Sequence, residues 1–202
     1  MREPRGRYPK GVEMRERIID AALAAYAASD SRGPSLRAIA ESVGLTDKGV
    51  GHYFGNRDNL FLAVLQERDR LDAVWPEPGD PEYLSHVVET VASRNVSRPG
   101  LVKLYIDMAV AASDPAHVAH GYFTERYSRL RRDIETLLVQ RGVSEPDARW
   151  KAQAMLAAAD GLQIQWLLDP TLDIATAAVR VARLIESGPV AAQQQPAGSD
   201  AD

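Results

Sequence analysis

Apolar residues along this chain recur at three- and four-residue intervals, and nowhere alternate with period two for long enough to build a strand. The pattern predicts an all-α fold. An opening helix over 15–27 carries Ile19, Ala22, Leu23 and Tyr26 on one face. A short helix follows, with Leu36, Ile39, Ala40 and Val43 at i, i+3, i+4, i+7 and Ser35 placed to cap it. Gly44 permits a backbone reversal, and Thr46 can cap the next helix, over about 47–54. Further helices are predicted over 56–74, 81–96, 100–112, 116–141, 145–168 and 172–186. The breaks after residue 74 each contain Pro, mostly with Gly or Asp, which gives each helix a physical reason to stop.

Two short helices about a glycine turn, at 35–54, form a helix-turn-helix, a geometry that can set one exposed helix in a DNA major groove. Over 13–65 the residues resemble the DNA-binding domain of the TetR family of transcriptional regulators. The resemblance runs in register through RERIIDAALAAYA, SLRAIAESVGLT and HYFGNRDNLFLAVL. Gly49, Val50, His52, Tyr53, Phe54, Arg57, Asp58 and Leu60 fit the family's pattern there. Two positions depart from it. Gly51 stands where many members carry a tyrosine that reaches DNA, and Asp47 puts an acid at the start of the recognition helix. Gly49 and Gly51 each lower helix propensity by roughly 1 kcal/mol relative to alanine, so this helix is expected to order fully on the operator.

The resemblance implies an N-terminal three-helix head over 12–72 and a helical effector-binding and dimerisation body over 73–187. A basic arm over 1–11 and a low-complexity tail over 188–202 are read as disordered. It also implies a sequence-specific regulator that binds a palindromic double-stranded DNA operator and is released by a small-molecule effector. The DNA-contact candidates are Ser35, Arg37, Thr46, Lys48, Gly49, His52, Tyr53 and Arg57. Lys48 can donate to a guanine edge or a phosphate, and His52 and Tyr53 to phosphates or bases. The hydroxyls of Ser35 and Thr46 sit at helix N-termini, where phosphate binds. Arg37 and Arg57 suit backbone clamps, and a bare Gly49 lets DNA come close. Val50, Phe54, Ile39 and Leu60 are assigned to the core.

Charge agrees with that division. The net formal charge is −4, but residues 1–70 hold 12 Lys/Arg against 10 Asp/Glu, and residues 71–202 hold 12 against 18. A mildly basic head on an acidic body is compatible with DNA binding, which needs a local basic surface. Arg2, Arg5, Arg7 and Lys10 of the arm could meet phosphates or remain a solvated tail.

In the body, the 145–168 helix is rich in small residues, with Ala152, Ala154, Ala157, Ala158, Ala159 and Gly161. The helix after it shows Ile174, Ala178, Val181 and Ile185 in a stripe. The residues alone allow an internal hairpin or a four-helix bundle across a two-fold axis. The resemblance implies the second, a homodimer through 145–186 with recognition helices roughly 34–36 Å apart. Tyr105, Met108, Tyr122 and Phe123 are the effector-pocket candidates, for a mostly apolar organic molecule.

There are no cysteines, so disulfides and thiolate metal sites are excluded. His117 and His120 lack a third ligand at metal spacing, so no metal and no cofactor are expected. No nucleophile motif, phosphate-cradling loop or paired-carboxylate motif marks an enzyme. A helical dimeric enzyme or an adaptor that does not bind DNA is the alternative. With no apolar run of ~18 residues and no signal-peptide pattern, a soluble cytoplasmic protein without membrane attachment is expected.

Overall fold

The computed structural model describes residues 8–73 and 83–187. The arm through Arg7, the break at 75–81 with Trp75, and the tail from residue 188 lie outside them. Among the described residues there are nine helices and no strand. In chain order they are α1 (Tyr8–Ala28), α2 (Leu36–Ser42), α3 (Asp47–Phe54), α4 (Arg57–Leu71), α5 (Tyr83–Val96), α6 (Pro99–Ala111), α7 (His120–Gln140), α8 (Glu145–Leu168) and α9 (Ile174–Ser187). No helix among them is long and apolar enough to cross a membrane.

The caps fall where the sequence placed them. Ser35 Oγ accepts the Ala38 N–H at 3.1 Å, and Thr46 Oγ1 accepts that of Gly49 at 3.2 Å. Asn56 Oδ1 accepts from Asn59 N at 2.8 Å and starts α4. Between α2 and α3, Gly44 has φ +75°, a value that costs other residues.

Three boundaries differ from the periodicity by three residues or more. The helix α1 begins at Tyr8, so Lys10 is helical and the arm is shorter than 1–11. Pro9 does not prevent this, because a first-turn N–H has no intrahelical partner to lose. The helix α4 ends at Leu71, where Asp72 closes it. The helix α7 begins at His120 rather than 116, because Asp114 folds the preceding chain into turns by accepting from Ala116 N and His117 N.

One core runs through the helix-turn-helix and into the body. Ile18, Ala22 and Tyr26 of α1, Ile39 of α2, Val50 and Phe54 of α3, and Leu60, Phe61, Val64 and Leu65 of α4 are buried together with Leu101, Leu104, Tyr105 and Met108 of α6 and Phe123 of α7. A second cluster joins α5, α7, α8 and α9 through Leu84, Leu138, Met155, Ala182 and Ile185. Trp166 of α8 closes on Val102 of α6 and Ile174 of α9. The α9 stripe Ile174, Ala178 and Ile185 is therefore buried within the protomer. Glu186 fastens this end by accepting from Leu84 N, Ser85 Oγ and Arg141 Nη1.

The tightest approach is between α6 and the end of α1. Gly100 N donates to Ser29 O at 3.3 Å, and a Cβ on Gly100 would stand 2.0 Å from Ser29 Oγ and 2.5 Å from Tyr26 O. The serine hydroxyl can turn away, but the carbonyl belongs to the backbone. Gly100→Ala is expected to destabilise the protein by about 1–3 kcal/mol, the range of an overpacked core site. Urea denaturation of parent and variant measures this, and equal midpoints would show that the joint yields freely.

Candidate DNA interface and the network behind it

The recognition helix α3 buries Val50 and Phe54 and leaves Lys48 and His52 exposed on the opposite side. Ile39 and Leu60 are buried as expected. Tyr53 is half-buried and packs on the core, its ring centroid 5.6 Å from that of His52. The helix is continuous through Gly49 and Gly51, and Gly55 follows as its C-cap. Ser35 and Thr46 are spent as caps, although both residues remain exposed. Arg37 is exposed and paired with Glu41 at 2.7 Å. Arg57, also exposed, lays its guanidinium 4.6 Å from the centre of the Phe61 ring. The structure thus brings Lys48, Gly49, His52 and Tyr53 onto one short helix, with Ser35, Arg37 and Arg57 on its two neighbours.

Behind this head, α4 is gripped by the body along its length. Near its first turn, His117 Nε2 lies 3.5 Å from Asp58. Near its last turn, Asp69 accepts from Tyr122 at 2.7 Å, Arg126 at 2.6 Å and Arg68 at 3.0 Å. Just beyond α4, Asp72 accepts from Arg98 at 3.1 Å, and its carbonyl accepts from Arg94.

The pocket candidates meet at the same place. Tyr105, Met108 and Phe123 are buried and Tyr122 is half-buried. The Phe123 ring stands 5.3 Å from Tyr105 and 5.0 Å from Tyr122. Tyr105 donates to Tyr127 at 3.0 Å, and Tyr127 donates to Asp160 of α8 at 2.6 Å. Arg68 and Arg126 flank the Tyr105 ring, 4.9 and 5.5 Å from its centre. Arg126 Nε is buried with no hydrogen-bond partner. Burial raises the Tyr122 and Tyr127 hydroxyls above the ordinary tyrosine pKa. It also raises the Asp160 carboxyl, against the opposing bond from Tyr127. For Arg126, burial works downward, but Asp69, Tyr105 and Tyr122 outweigh it and hold the guanidinium above its usual value.

Sequence reasoning missed Arg68, Asp69, Arg126, Tyr127 and Asp160. Asp160 had a signal, an acid inside a run of alanines and leucines. Asp69 had none, because it sits in a stretch of alternating charge that looks like a solvated face. The two histidines take separate roles. His117 faces Asp58, while His120 Nδ1 bonds Ala112 O at 2.9 Å.

Comparison with known proteins agrees with this arrangement. Residues 18–64 match the family of bacterial regulatory proteins of the tetR type, and residues 81–188 match the C-terminal domain of BetI-type transcriptional repressors. The chain belongs to the TetR family. It is a DNA-binding transcriptional repressor, and these matches favour that function over a helical enzyme or adaptor. Among TetR-type relatives, the HTH-type transcriptional repressor SCO4008 of Streptomyces coelicolor is 24% identical over 143 residues, 69% of this chain and 74% of that protein. The HTH-type transcriptional repressor AcnR of Corynebacterium glutamicum is 30% identical over 81 residues, 40% of this chain and 43% of that one. A transcriptional regulator from a Rhodococcus species shares the fold with a TM-score of 0.67 at 23% identity, covering 88% of this chain and 98% of its own.

Proposed function

We propose that this TetR-family repressor acts in the cytoplasm as a homodimer on a two-fold operator and lets go when a small molecule binds beside α4. The observation that carries the reading is the grip on α4. The helix that follows the recognition helix is tied to the body by Asp58, Asp69 and Asp72, so the body's packing sets the angle of the head.

In the head, Lys48 and His52 face the groove, and Tyr53 lies at its edge. The caps Ser35 and Thr46 present helix N-termini to phosphates, Gly49 lets DNA approach, and Arg37 and Arg57 reach the backbone after exchanging their present partners. Lys48→Ala is expected to cost about 1–3 kcal/mol on the operator if the amine reads a base. Arg57→Ala is expected to weaken all duplexes alike and to reduce the salt slope by about one unit. Binding titrations across salt concentration check both, and an unchanged slope for Arg57→Ala removes it from the phosphate contacts.

Dimerisation is supported by an uncovered stripe on α8. Trp150, Ala154, Ala157, Gly161, Ile164 and Leu168 follow one another at alternating four- and three-residue steps. Trp150 is 57% exposed and Leu168 82%, and Leu184 of α9 is 72% exposed. A Cβ on Gly161 would meet nothing within 4 Å in the protomer, so the middle of the stripe is open to a second helix. Ultracentrifugation at micromolar concentration is expected to show a dimer for the parent and a monomer for Gly161→Trp. A monomeric parent would sink the assignment.

The effector belongs against Tyr105, Met108, Tyr122 and Phe123, where α4, α6 and α7 meet. Entry there pushes α7 from α4 and loosens Tyr122 and Arg126 from Asp69. Weakening DNA 100-fold takes about 2.7 kcal/mol of coupling, and linkage requires DNA to weaken the effector by the same factor. A compound picked by its thermal stabilisation of the repressor, titrated with and without operator, is expected to bind about 100-fold more weakly to the complex. Equal affinities would exclude this mechanism.

A further inference from the structure

We propose that the effector is an organic carboxylate, with its anionic head on the Nε edge of Arg126 and its apolar part against Tyr105, Met108 and Phe123. The inference rests on the reading of that cluster as the effector site and gives it a ligand chemistry, which the aromatic side chains alone leave open.

Among the described residues, two buried side-chain polar atoms have no hydrogen-bond partner, Arg126 Nε and Lys151 Nζ. Both are donors, and both belong to cations. A charged donor left dry and unpaired is costly, and folded chains avoid it. No buried side-chain acceptor among the described residues is left over in the same way. The two donors differ in their surroundings. Lys151 lies on the buried face of α8 with Ala148, Ala152 and Met155. Arg126 lies in the ring cluster, where the body holds α4. Asp69 takes its Nη1 at 2.6 Å. The Nε edge is left, and that edge of a guanidinium presents two parallel N–H groups that receive a carboxylate side-on.

Other ligand charges fit this place poorly. A cation seeks a ring face, but the guanidiniums of Arg68 and Arg126 already flank the Tyr105 ring, 4.9 and 5.5 Å from its centre. Asp69 already accepts from Arg68, Tyr122 and Arg126. Asp160, the other acid acting on Arg126, accepts from Tyr127, and burial opposes its negative charge. A neutral apolar molecule would leave Arg126 Nε as it stands. A carboxylate satisfies it, and as a second anion on the same guanidinium it repels Asp69. The ligand's charge therefore weakens the bond by which α7 holds α4, and the head feels the difference between an acid and its neutral analogue.

The test uses the full chain and a panel of aromatic and aliphatic acids, among them benzoate, phenylacetate and octanoate, each beside its primary amide and its amine. Calorimetry measures each affinity with and without a duplex that the parent selects from a randomised pool. At least one acid is expected to bind about tenfold or more tightly than its amide, the share of one charge-assisted hydrogen bond, and to be weakened by the duplex. Arg126→Lys keeps a cation for Asp69 but lacks Nε. It should bring the acid down to the affinity of the amide and leave the amide unchanged. Lys151→Met should bind both as the parent does. A crystal structure of the parent with that acid, which needs no variant to fold, should place the carboxylate on Arg126 Nε. Amides or amines that bind as well as their acids overturn the proposal, and if they release the duplex the effector site itself survives. Preference for the acid kept by a folded Arg126→Lys overturns it too. So does preference lost in Lys151→Met, or a carboxylate found away from Arg126 in the crystal. A panel in which no compound of any class binds removes the effector site together with its chemistry.

Discussion

Asp69 must keep a charge largely out of water, and the body is arranged around that need. Its side chain is 18% exposed, and its partners Arg68 and Arg126 are 11% and 20% exposed. A pair this deep gains little net stability, because desolvation offsets attraction, but losing one partner strands the other at a cost of several kcal/mol. The ion pair therefore acts less as glue than as a constraint on geometry. It holds α7 at one distance from α4, and Tyr122 and Arg126 share the carboxylate so that α7 cannot roll without breaking a bond. Tyr105, Tyr127 and Asp160 carry the constraint on to α6 and α8.

Much of this was legible in the sequence, for a simple reason. Surface helices with one buried face announce themselves by period, and Pro–Gly breaks announce their ends. Ser35, Gly44 and Thr46 are local devices whose effect depends on neighbours three residues away, so α2, the turn and α3 could be placed to the residue. Departures came where periodicity is silent, at local turns and first-turn positions and where tertiary packing covers a face. Asp114 turns the chain back onto itself before α7, and Pro9 is absorbed into α1. Ile174, Ala178 and Ile185 looked available to a second copy but are covered inside the protomer, because periodicity shows a face and not what lies against it.

The candidate DNA surface was more legible than the network behind it. Lys48 and His52 are exposed because Val50 and Phe54 are buried, a relation fixed by helix geometry alone. Asp69 bonds residues more than fifty positions later, and no local pattern encodes such a partner. Arg57 illustrates the middle case. Its position at the start of α4 follows from the sequence, but its stacking on Phe61 depends on the side chain one turn along and on how both meet Tyr26, whose ring stands edge-on to Phe61 at 5.5 Å.

The core that begins in α1 does not stop at the end of the head. Leu101, Leu104, Tyr105 and Met108 of α6 fill the same interior as Ile18, Phe61 and Leu65. Head and body are thus not interchangeable parts on a common joint. A chimera that grafted this helix-turn-helix onto another body would tear a single hydrophobic interior in two. The transplant would have to bring the inner face of α6 with it, together with the glycine that lets that helix lie against the end of α1.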